Sequence, residues 1–176
     1  MQEPTPAPEW RTSEWFNTPA PLTLSALRGK VVFITAFQML CPGCVAQGLP
    51  QALRVRAAFR EEDVAVIGLH TVFEHHAAMT PVSLKAFLHE YRIGFPVGVD
   101  EADGAGGPPL TMRAYAMRGT PTTLLIDRES RLRTHAFGHL ADLELGAQIA
   151  SLVGERAIAI ASRDESGGAC TPSGCS

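Results

Sequence analysis

The chain has 176 residues, of which 45% are hydrophobic and 19% are charged. That length and apolar content are enough for one ordinary hydrophobic core, so we expect a single globular domain. The formal net charge of −3 argues against a nucleic-acid partner, and the lack of any apolar run near the roughly 20 residues of a membrane span argues against a membrane partner.

The first 22 residues are uneven and rich in proline, as in EPTPAPE and NTPAP. Proline lacks the backbone N–H that helices and sheets need, so we expect residues 1–22 to form an irregular lead-in. Its apolar residues Trp10, Trp15 and Phe16 would then pack onto the domain without regular structure. The lead-in also lacks the basic and apolar regions of a secretory signal. This predicts a cytoplasmic protein if Met1 is native, and a periplasmic or extracytoplasmic one if a signal was removed.

Two buried strands with a helix between them are predicted next. The runs VVFITAF at 31–37 and VAVIGL at 64–69 are apolar and rich in β-branched residues, which is typical of strands buried on both faces. Between them, apolar residues recur at helical spacing, at Val45, Leu49, Leu53 and Phe59. Pro50 lies inside this helix, where we expect it to produce a kink.

The second half of the chain continues the alternation of helices and strands. PVSLKAFLHEYRI predicts a helix from about Pro81, FPVGVD a short strand, and LTMRAYAM a short helix. TPTTLLIDRESRLRTHAFG has two strands around a polar turn at 127–130, which indicates a β-hairpin, and DLELGAQIASLV is an amphipathic helix. The element order β-α-β-α-β-α-β-β-α predicts an α/β fold over residues 23–155, with a central mixed sheet flanked by helices.

Cys41 and Cys44 form a Cys-Pro-Gly-Cys motif where the first buried strand passes into the first helix. Free N–H groups and the dipole at a helix N-terminus stabilise a thiolate, so the motif makes Cys41 a candidate nucleophile. Pro42 suits the first helical position, where a missing N–H costs no hydrogen bond. The two-residue spacing lets Cys44 reach back and form a disulfide, which makes it the candidate resolving thiol.

Metal binding and a purely structural disulfide are the alternatives for this motif. Cys-x-x-Cys is half of a common zinc site, although no second close Cys or His pair at the usual spacing follows it. A carrier of copper, zinc or a metalloid could instead combine the thiols with His70, His75 or His76. His70, at the end of the second buried strand, could also stabilise a neighbouring thiolate, and packing is its alternative role.

Three stretches together resemble the thioredoxin-like superfamily, in its TlpA-like and AhpC/TSA-related redoxin branch: LTLSALRGKVVFITAFQMLCPGC, FPVGVD and GTPTTLLIDRESRLR. The lead-in EWFNTPAPLTLSALRGKVV is also similar to thioredoxin-like domains at the start of NHL-repeat proteins. The resemblance covers roughly residues 10–155. It implies a thioredoxin-like fold and a thiol-disulfide oxidoreductase that acts on a protein disulfide or dithiol, works with an upstream redox partner and needs no cofactor or metal.

The resemblance also assigns residues around the dithiol. It implies a cis proline at Pro121 facing the cysteines, with the Thr120 backbone pairing with an extended substrate. Glu74 lies in the region where TlpA-like reductases place an acid, so it is a candidate proton acceptor. Two positions depart from the thioredoxin pattern: Leu40 replaces the usual aromatic residue before the first cysteine, and Thr35 stands where thioredoxins have a buried acid.

The same resemblance raises peroxidase activity as a lesser alternative. Peroxiredoxins place a Thr or Ser three residues before the reactive cysteine, and a Pro four residues before that. The corresponding positions here hold Gln38 and Ile34. The pattern that binds and polarises a peroxide is therefore absent.

A second pair, Cys170 and Cys175, lies in the polar C-terminal stretch SRDESGGACTPSGCS. This stretch has too few apolar residues to bury a core, so we expect residues 156–176 to be an extension with a mobile tail. The pair could relay electrons between the first pair and another protein, with a local disulfide or a soft-metal site as alternatives. To reach Cys41 of its own chain, the tail must turn back after the last helix, for which Gly154 is a candidate cap. Otherwise the tail reaches Cys41 of a neighbouring subunit, which would make the protein a homodimer.

Overall fold

The computed structural model describes residues 4–164, and side chains within residues 4–155. The strands of this part are β1 (Thr5–Pro6), β2 (Thr12–Phe16), β3 (Val31–Phe37), β4 (Val64–His70), β5 (Val97–Asp100), β6 (Thr122–Ile126) and β7 (Arg131–Phe137). The α-helices are α1 (Leu49–Ala58), α2 (Pro81–Glu90), α3 (Leu110–Ala114) and α4 (Asp142–Asp164). A 3-10 turn at Ser25–Leu27 precedes β3, and a π-helix at Cys44–Gly48 runs directly into α1.

The strands form one mixed sheet in the order β1-β7-β6-β3-β4-β5-β2. β3, β4 and β5 run parallel, whereas β6 is antiparallel to β3 and pairs with β7 as a hairpin. The predicted α/β class, the mixed sheet and the element order from β3 onwards are therefore confirmed. Every residue of β3 is buried because the strand is central and both faces of the sheet are covered.

Alternate residues of β3 point into two separate cores, as the pleat of a strand requires. Phe33 and Phe37 pack on one face, with residues of α1, α2 and α4. Ile34 packs on the other face, in a cluster that contains Trp10 and Tyr115. The Tyr115 hydroxyl donates to the carbonyl of Pro8 at 2.6 Å, which ties the N-terminal segment to this second core.

The irregular lead-in predicted for residues 1–22 is wrong where this segment forms the strands β1 and β2. β2 pairs antiparallel with β5 at the edge of the sheet, with Trp15 opposite Gly98. A Cβ on Gly98 would lie only 3.1 Å from Trp15 Cζ2. The glycine therefore leaves room for the tryptophan ring. The segment TSEWF lacks the apolar alternation of a strand. Its extended conformation depends on hydrogen bonds to a partner strand far away in sequence.

The helix is irregular before Pro50, and not at Pro50 as the sequence predicts. The irregular turn comes before Pro50, as the π-helix at Cys44–Gly48, and Pro50 itself lies in the first turn of α1. The N–H of Leu49 donates to the carbonyl of Cys44, so the chain is already helical at this point, and Pro50, which lacks an N–H, lies where the hydrogen bonds change from π to α spacing.

The last helix does not end at Gly154. α4 continues through this residue to Asp164, so the predicted cap and reversal of the chain at Gly154 are wrong. Cys170 and Cys175 lie outside the described residues, and so does most of the predicted extension 156–176. In the part of the chain that the structure describes, no helix combines the length and apolar character needed to cross a membrane.

Candidate active site

Cys41 lies just beyond the carboxyl end of β3, in a turn that leads into the π-helix. Its N–H donates to the carbonyl of Gln38 at 3.2 Å, which closes the turn. Its sulfur accepts a hydrogen bond from the N–H of Cys44 at 3.3 Å. Both cysteines are free thiols; the Cys41 side chain is partly exposed and that of Cys44 is buried. Cys41 is therefore the sulfur that a substrate can reach.

The two sulfurs differ chemically as well as in exposure. Burial, and then the neighbouring Cys41 sulfur, raise the pKa of the Cys44 thiol to about 12. Cys44 therefore stays protonated at neutral pH, while the partly exposed Cys41 sulfur accepts the backbone N–H of Cys44. This asymmetry fits the roles of nucleophile and resolving thiol that the sequence predicts.

Pro121 covers the dithiol motif from the start of β6. The Thr120–Pro121 peptide bond is cis, as the resemblance implies. The proline ring packs directly on two glycines: a Cβ on Gly43 would lie 3.3 Å from Pro121 Cδ, and one on Gly48 would lie 3.2 Å from Pro121 Cβ. The carbonyl of Thr120 accepts a hydrogen bond from the Cys41 thiol at 3.5 Å. The structure thus brings Thr120 and Pro121 to the dithiol.

Gly43 and Gly48 have packing roles that were not predicted from the sequence. In sequence, Gly43 is simply a residue between the cysteines and Gly48 a weak point in a helical pattern. A glycine in an otherwise helical pattern is a signal for close approach of another element. The partner, Pro121, is more than seventy positions away and could not be identified from this signal.

Glu74 lies in the loop after β4, where its side chain is exposed. Its Oε1 accepts a hydrogen bond from Gln38 Nε2 at 3.3 Å, and Gln38 Oε1 accepts from the N–H of Phe73 at 3.2 Å. The buried Gln38 side chain therefore ties the Glu74 loop to the turn that holds Cys41. In sequence, Gln38 shows only that the hydroxyl of a peroxidase is missing, because its partner Glu74 is 36 positions away. The proton-transfer role of Glu74 stays a prediction.

His70 is wholly buried at the end of β4, where its ring packs at 5.2 Å from the ring of Phe37. Burial lowers the pKa of His70 to about 4. Neither ring nitrogen has a hydrogen-bond partner among the side chains and backbone that the structure describes. His70 is therefore neutral near pH 7 and cannot stabilise a thiolate as a cation, which leaves packing as its role.

The histidines do not assemble with the thiols into a metal site. His75 and His76 are exposed in the loop after β4, whereas His70 is enclosed in the core. Within the described residues, no group of three or more His, Cys, Asp or Glu side chains is arranged to hold a metal ion. In this part of the chain, the carrier alternative therefore has no set of ligands beyond the two thiols.

Comparison with known proteins agrees with this geometry. A model of the AhpC/TSA family matches residues 5–135. The crystal structure of a thioredoxin-like superfamily protein is 65% identical, with a TM-score of 0.82, and the match covers 85% of this chain and 96% of that one. A thiol-disulfide isomerase from Corynebacterium glutamicum is 47% identical, with a TM-score of 0.80, covering 84% of this chain and 96% of its own.

A curated relative, Protein DipZ of Mycobacterium tuberculosis, is 30% identical over 126 residues. The match covers 70% of this chain, but this chain spans only 17% of DipZ. The shared region is thus one part of a much longer relative. Because the family model spans most of the chain and the fold is that of the thioredoxin-like structures, this protein belongs to the AhpC/TSA family and is a TlpA-like redoxin.

Proposed function

We propose that this protein is a thiol-disulfide oxidoreductase that exchanges disulfides with a protein substrate through Cys41 and Cys44. The observation that carries the proposal is the asymmetry of the pair. The reachable Cys41 sulfur accepts the Cys44 N–H, while the Cys44 thiol is buried beside it with a pKa near 12. The name of the similar thiol-disulfide isomerase from C. glutamicum supports the same activity.

The exchange takes place in two steps. The Cys41 thiolate attacks one sulfur of the substrate disulfide. That S–S bond breaks, a Cys41–substrate disulfide forms, and the departing substrate sulfur takes up a proton. Cys44 then loses its proton and attacks the Cys41 sulfur, which forms the Cys41–Cys44 disulfide and releases the second substrate thiol. The substrate gains two electrons and the protein loses two, and the reverse sequence oxidises a substrate dithiol.

Each turnover leaves the dithiol in the opposite redox state, so an upstream redox partner must reset it. The Thr120 backbone, next to the Cys41 sulfur, pairs with the extended substrate during the exchange. Glu74 accepts the proton that Cys44 releases, while Gln38 holds the Glu74 loop against the Cys41 turn. These roles for Thr120 and Glu74 rest on their placement and on the resemblance to TlpA-like reductases.

The tail pair relays electrons between two copies of the chain. α4 begins beside α1, where Gln51 Nε2 donates to the Leu140 carbonyl, and its 23 residues extend about 34 Å. From Asp164, Cys170 can reach at most about 21 Å, which is less than the length of the helix. Cys175 can reach about 38 Å only if the chain is fully extended. A neighbouring copy is therefore the more accessible target, which makes a homodimer part of the proposal.

An equilibrium titration in glutathione buffers tests the main proposal. Each sample is alkylated rapidly, and all four cysteines are read by peptide mass spectrometry. Cys41 and Cys44 should titrate together as one couple, and a Cys44→Ser variant should accumulate a mixed disulfide with a protein substrate such as insulin. If the pair resists oxidation, or if the purified protein retains one zinc or copper ion on these thiols, the carrier function replaces the oxidoreductase.

The relay needs a separate readout. Isotopically labelled and unlabelled copies of the protein are mixed, oxidised and digested, and disulfide-linked peptides are identified by mass. A link from Cys170 or Cys175 to Cys41 that joins a labelled peptide to an unlabelled one supports exchange between copies. Links found solely within one copy contradict it, and the main proposal is unaffected by either result.

A further inference from the structure

Three exposed side chains border the part of the site where a substrate must approach Cys41. Leu40 directly precedes Cys41 and is 57% exposed, and Phe137 at the end of β7 is 48% exposed. Arg118 lies just before the Gly119–Pro121 segment and is also exposed. We define these three residues as the rim. Isolated apolar residues on a surface are ordinary, but here two of them flank the reacting sulfur and the segment that touches it.

Phe137 is held against that segment by backbone contacts on both sides. It lies opposite Thr122, the first residue of β6, in the β6–β7 hairpin. Its ring packs directly on Gly119, because a Cβ on this glycine would lie only 3.0 Å from Phe137 Cε2. The next residue, Gly138, donates its N–H to the carbonyl of Pro121 at 2.8 Å. The ring is therefore anchored beside the residues that contact Cys41, not on a separate surface.

Arg118 adds a positive charge to this apolar surface. Its guanidinium carbon lies 5.2 Å from the centroid of the Phe137 ring, which holds the charge in place by a cation–π contact. No ion pair joins Arg118 to an acidic side chain in the described part of the chain. A guanidinium without a carboxylate partner, positioned on an aromatic ring, is well suited to bind a carboxylate through two parallel hydrogen bonds.

We propose that the rim selects substrates in which the reacting cysteine adjoins an apolar residue and has an acidic residue close by. The apolar side chain packs on Leu40 and Phe137, and the carboxylate pairs with Arg118. Arg118 lies two residues before Thr120, whose carbonyl contacts the Cys41 thiol, and extended chain advances about 3.3 Å per residue, so the acidic residue of the substrate lies within about three positions of the cysteine. The proposal rests on disulfide exchange at Cys41, and it names the class of protein substrate that this exchange favours.

The test uses disulfide-linked synthetic peptides that differ at two positions beside the reacting cysteine. One carries Leu and Asp, a second Leu and Lys, a third Ser and Asp, and a neutral reference carries Ser at both. The second-order rate constant for reduction by the reduced protein is measured for each at low salt. The Leu and Asp peptide should react about threefold to tenfold faster than each of the others. Raising the salt concentration should reduce the difference in rate between the Asp and Lys peptides, because salt screens the charge of Arg118.

Variants assign this preference to the rim. Arg118→Glu should reverse the order of the Asp and Lys peptides, and Phe137→Ser should reduce the advantage of Leu over Ser to the part that Leu40 provides. Lys85→Glu is the matched control. It makes the same change in net charge on an exposed residue of α2, beside His89 and Arg92, and should leave the order of the peptides unchanged. Thermal unfolding of each variant confirms that it is folded.

The outcomes separate this inference from the proposed function. If the reference peptide is reduced but all four peptides react within twofold of one another, the rim does not select and the oxidoreductase stands. The same conclusion follows if Arg118→Glu and Lys85→Glu change the rates equally. If no peptide, including the reference, is reduced by the intact dithiol, the exchange itself is wrong and the rim proposal fails with it.

Discussion

The carbonyl of Thr120 accepts a hydrogen bond from the Cys41 thiol at 3.5 Å, although the two residues are 79 positions apart. They meet because β6 lies antiparallel to β3, which brings the start of β6 beside the end of β3 at one edge of the sheet. A polypeptide that pairs with the Thr120 backbone is thereby held against the Cys41 sulfur. The proposed recognition by Thr120 and the chemistry of Cys41 therefore lie at the same end of these two central strands.

The two thiols should differ sharply in their reaction with iodoacetamide. In a Cys170→Ser/Cys175→Ser background at pH 7, Cys41 should be alkylated about a hundredfold faster than Cys44, because the Cys44 thiol is buried and its pKa is near 12. Peptide mass spectrometry over a time course measures both rates. In strong denaturant the rates should converge. Similar rates in the folded protein would contradict the assignment of Cys41 as nucleophile.

Replacing Glu74 should slow the second step of exchange and leave the fold intact. In Glu74→Gln, the mixed disulfide with a substrate should persist about tenfold longer, because the proton of Cys44 loses its proposed acceptor. Glu74 is exposed, so thermal stability should change little. Quenched-flow sampling of the mixed disulfide measures its lifetime. Glu90→Gln, an exposed control on α2, should have no effect, and an equal lifetime in both variants would remove Glu74 from the mechanism.

A methyl group at Gly48 should disturb the contact between the helix and the proline. In Gly48→Ala, the new Cβ lies 3.2 Å from Pro121 Cβ, and overpacking of this kind costs about 1–3 kcal/mol. The gain in helix propensity offsets up to about 1 kcal/mol, so the free energy of unfolding should fall by about 1 kcal/mol. Urea unfolding measures the change.

Gly146→Ala is the control for that variant. Gly146 also lies in a helix, but a Cβ there would meet no atom within 4 Å. The substitution should raise the free energy of unfolding by about 0.5–1 kcal/mol, because alanine favours the helix. If the two alanine variants change stability in the same direction, the contact between Gly48 and Pro121 is not tight.

His70 should make stability depend on pH between about 4 and 6.5. Burial lowers its pKa from 6.5 to about 4, so the unfolded chain binds the proton more tightly than the folded protein. The contribution of His70 is therefore complete above pH 6.5 and is lost as the pH falls towards 4, by about 3 kcal/mol. Urea unfolding across this range, compared with His70→Leu, isolates the effect. Parallel curves for the two proteins would show that His70 gains access to water or a partner when protonated.

Local patterns in the sequence were enough to predict the class of the fold and the reactive motif. The runs at 31–37 and 64–69 are apolar and β-branched, which happens where a strand is covered on both faces, and both are strands in the structure. The position of Cys41 and Cys44 between a strand and a helix also follows from neighbouring residues. Periodicity and spacing are properties of short segments, so a sequence records them directly.

The contacts that make the motif a site were decided by the tertiary structure. Pro121 packs on Gly43 and Gly48, and Phe137 is placed beside the segment that touches Cys41, because strands from distant parts of the chain pair in one sheet. β2 exists as a strand through its pairing with β5, since its own residues lack a strand pattern. Pairing and packing depend on both partners at once. A pattern in one segment therefore carries no record of which distant segment will meet it.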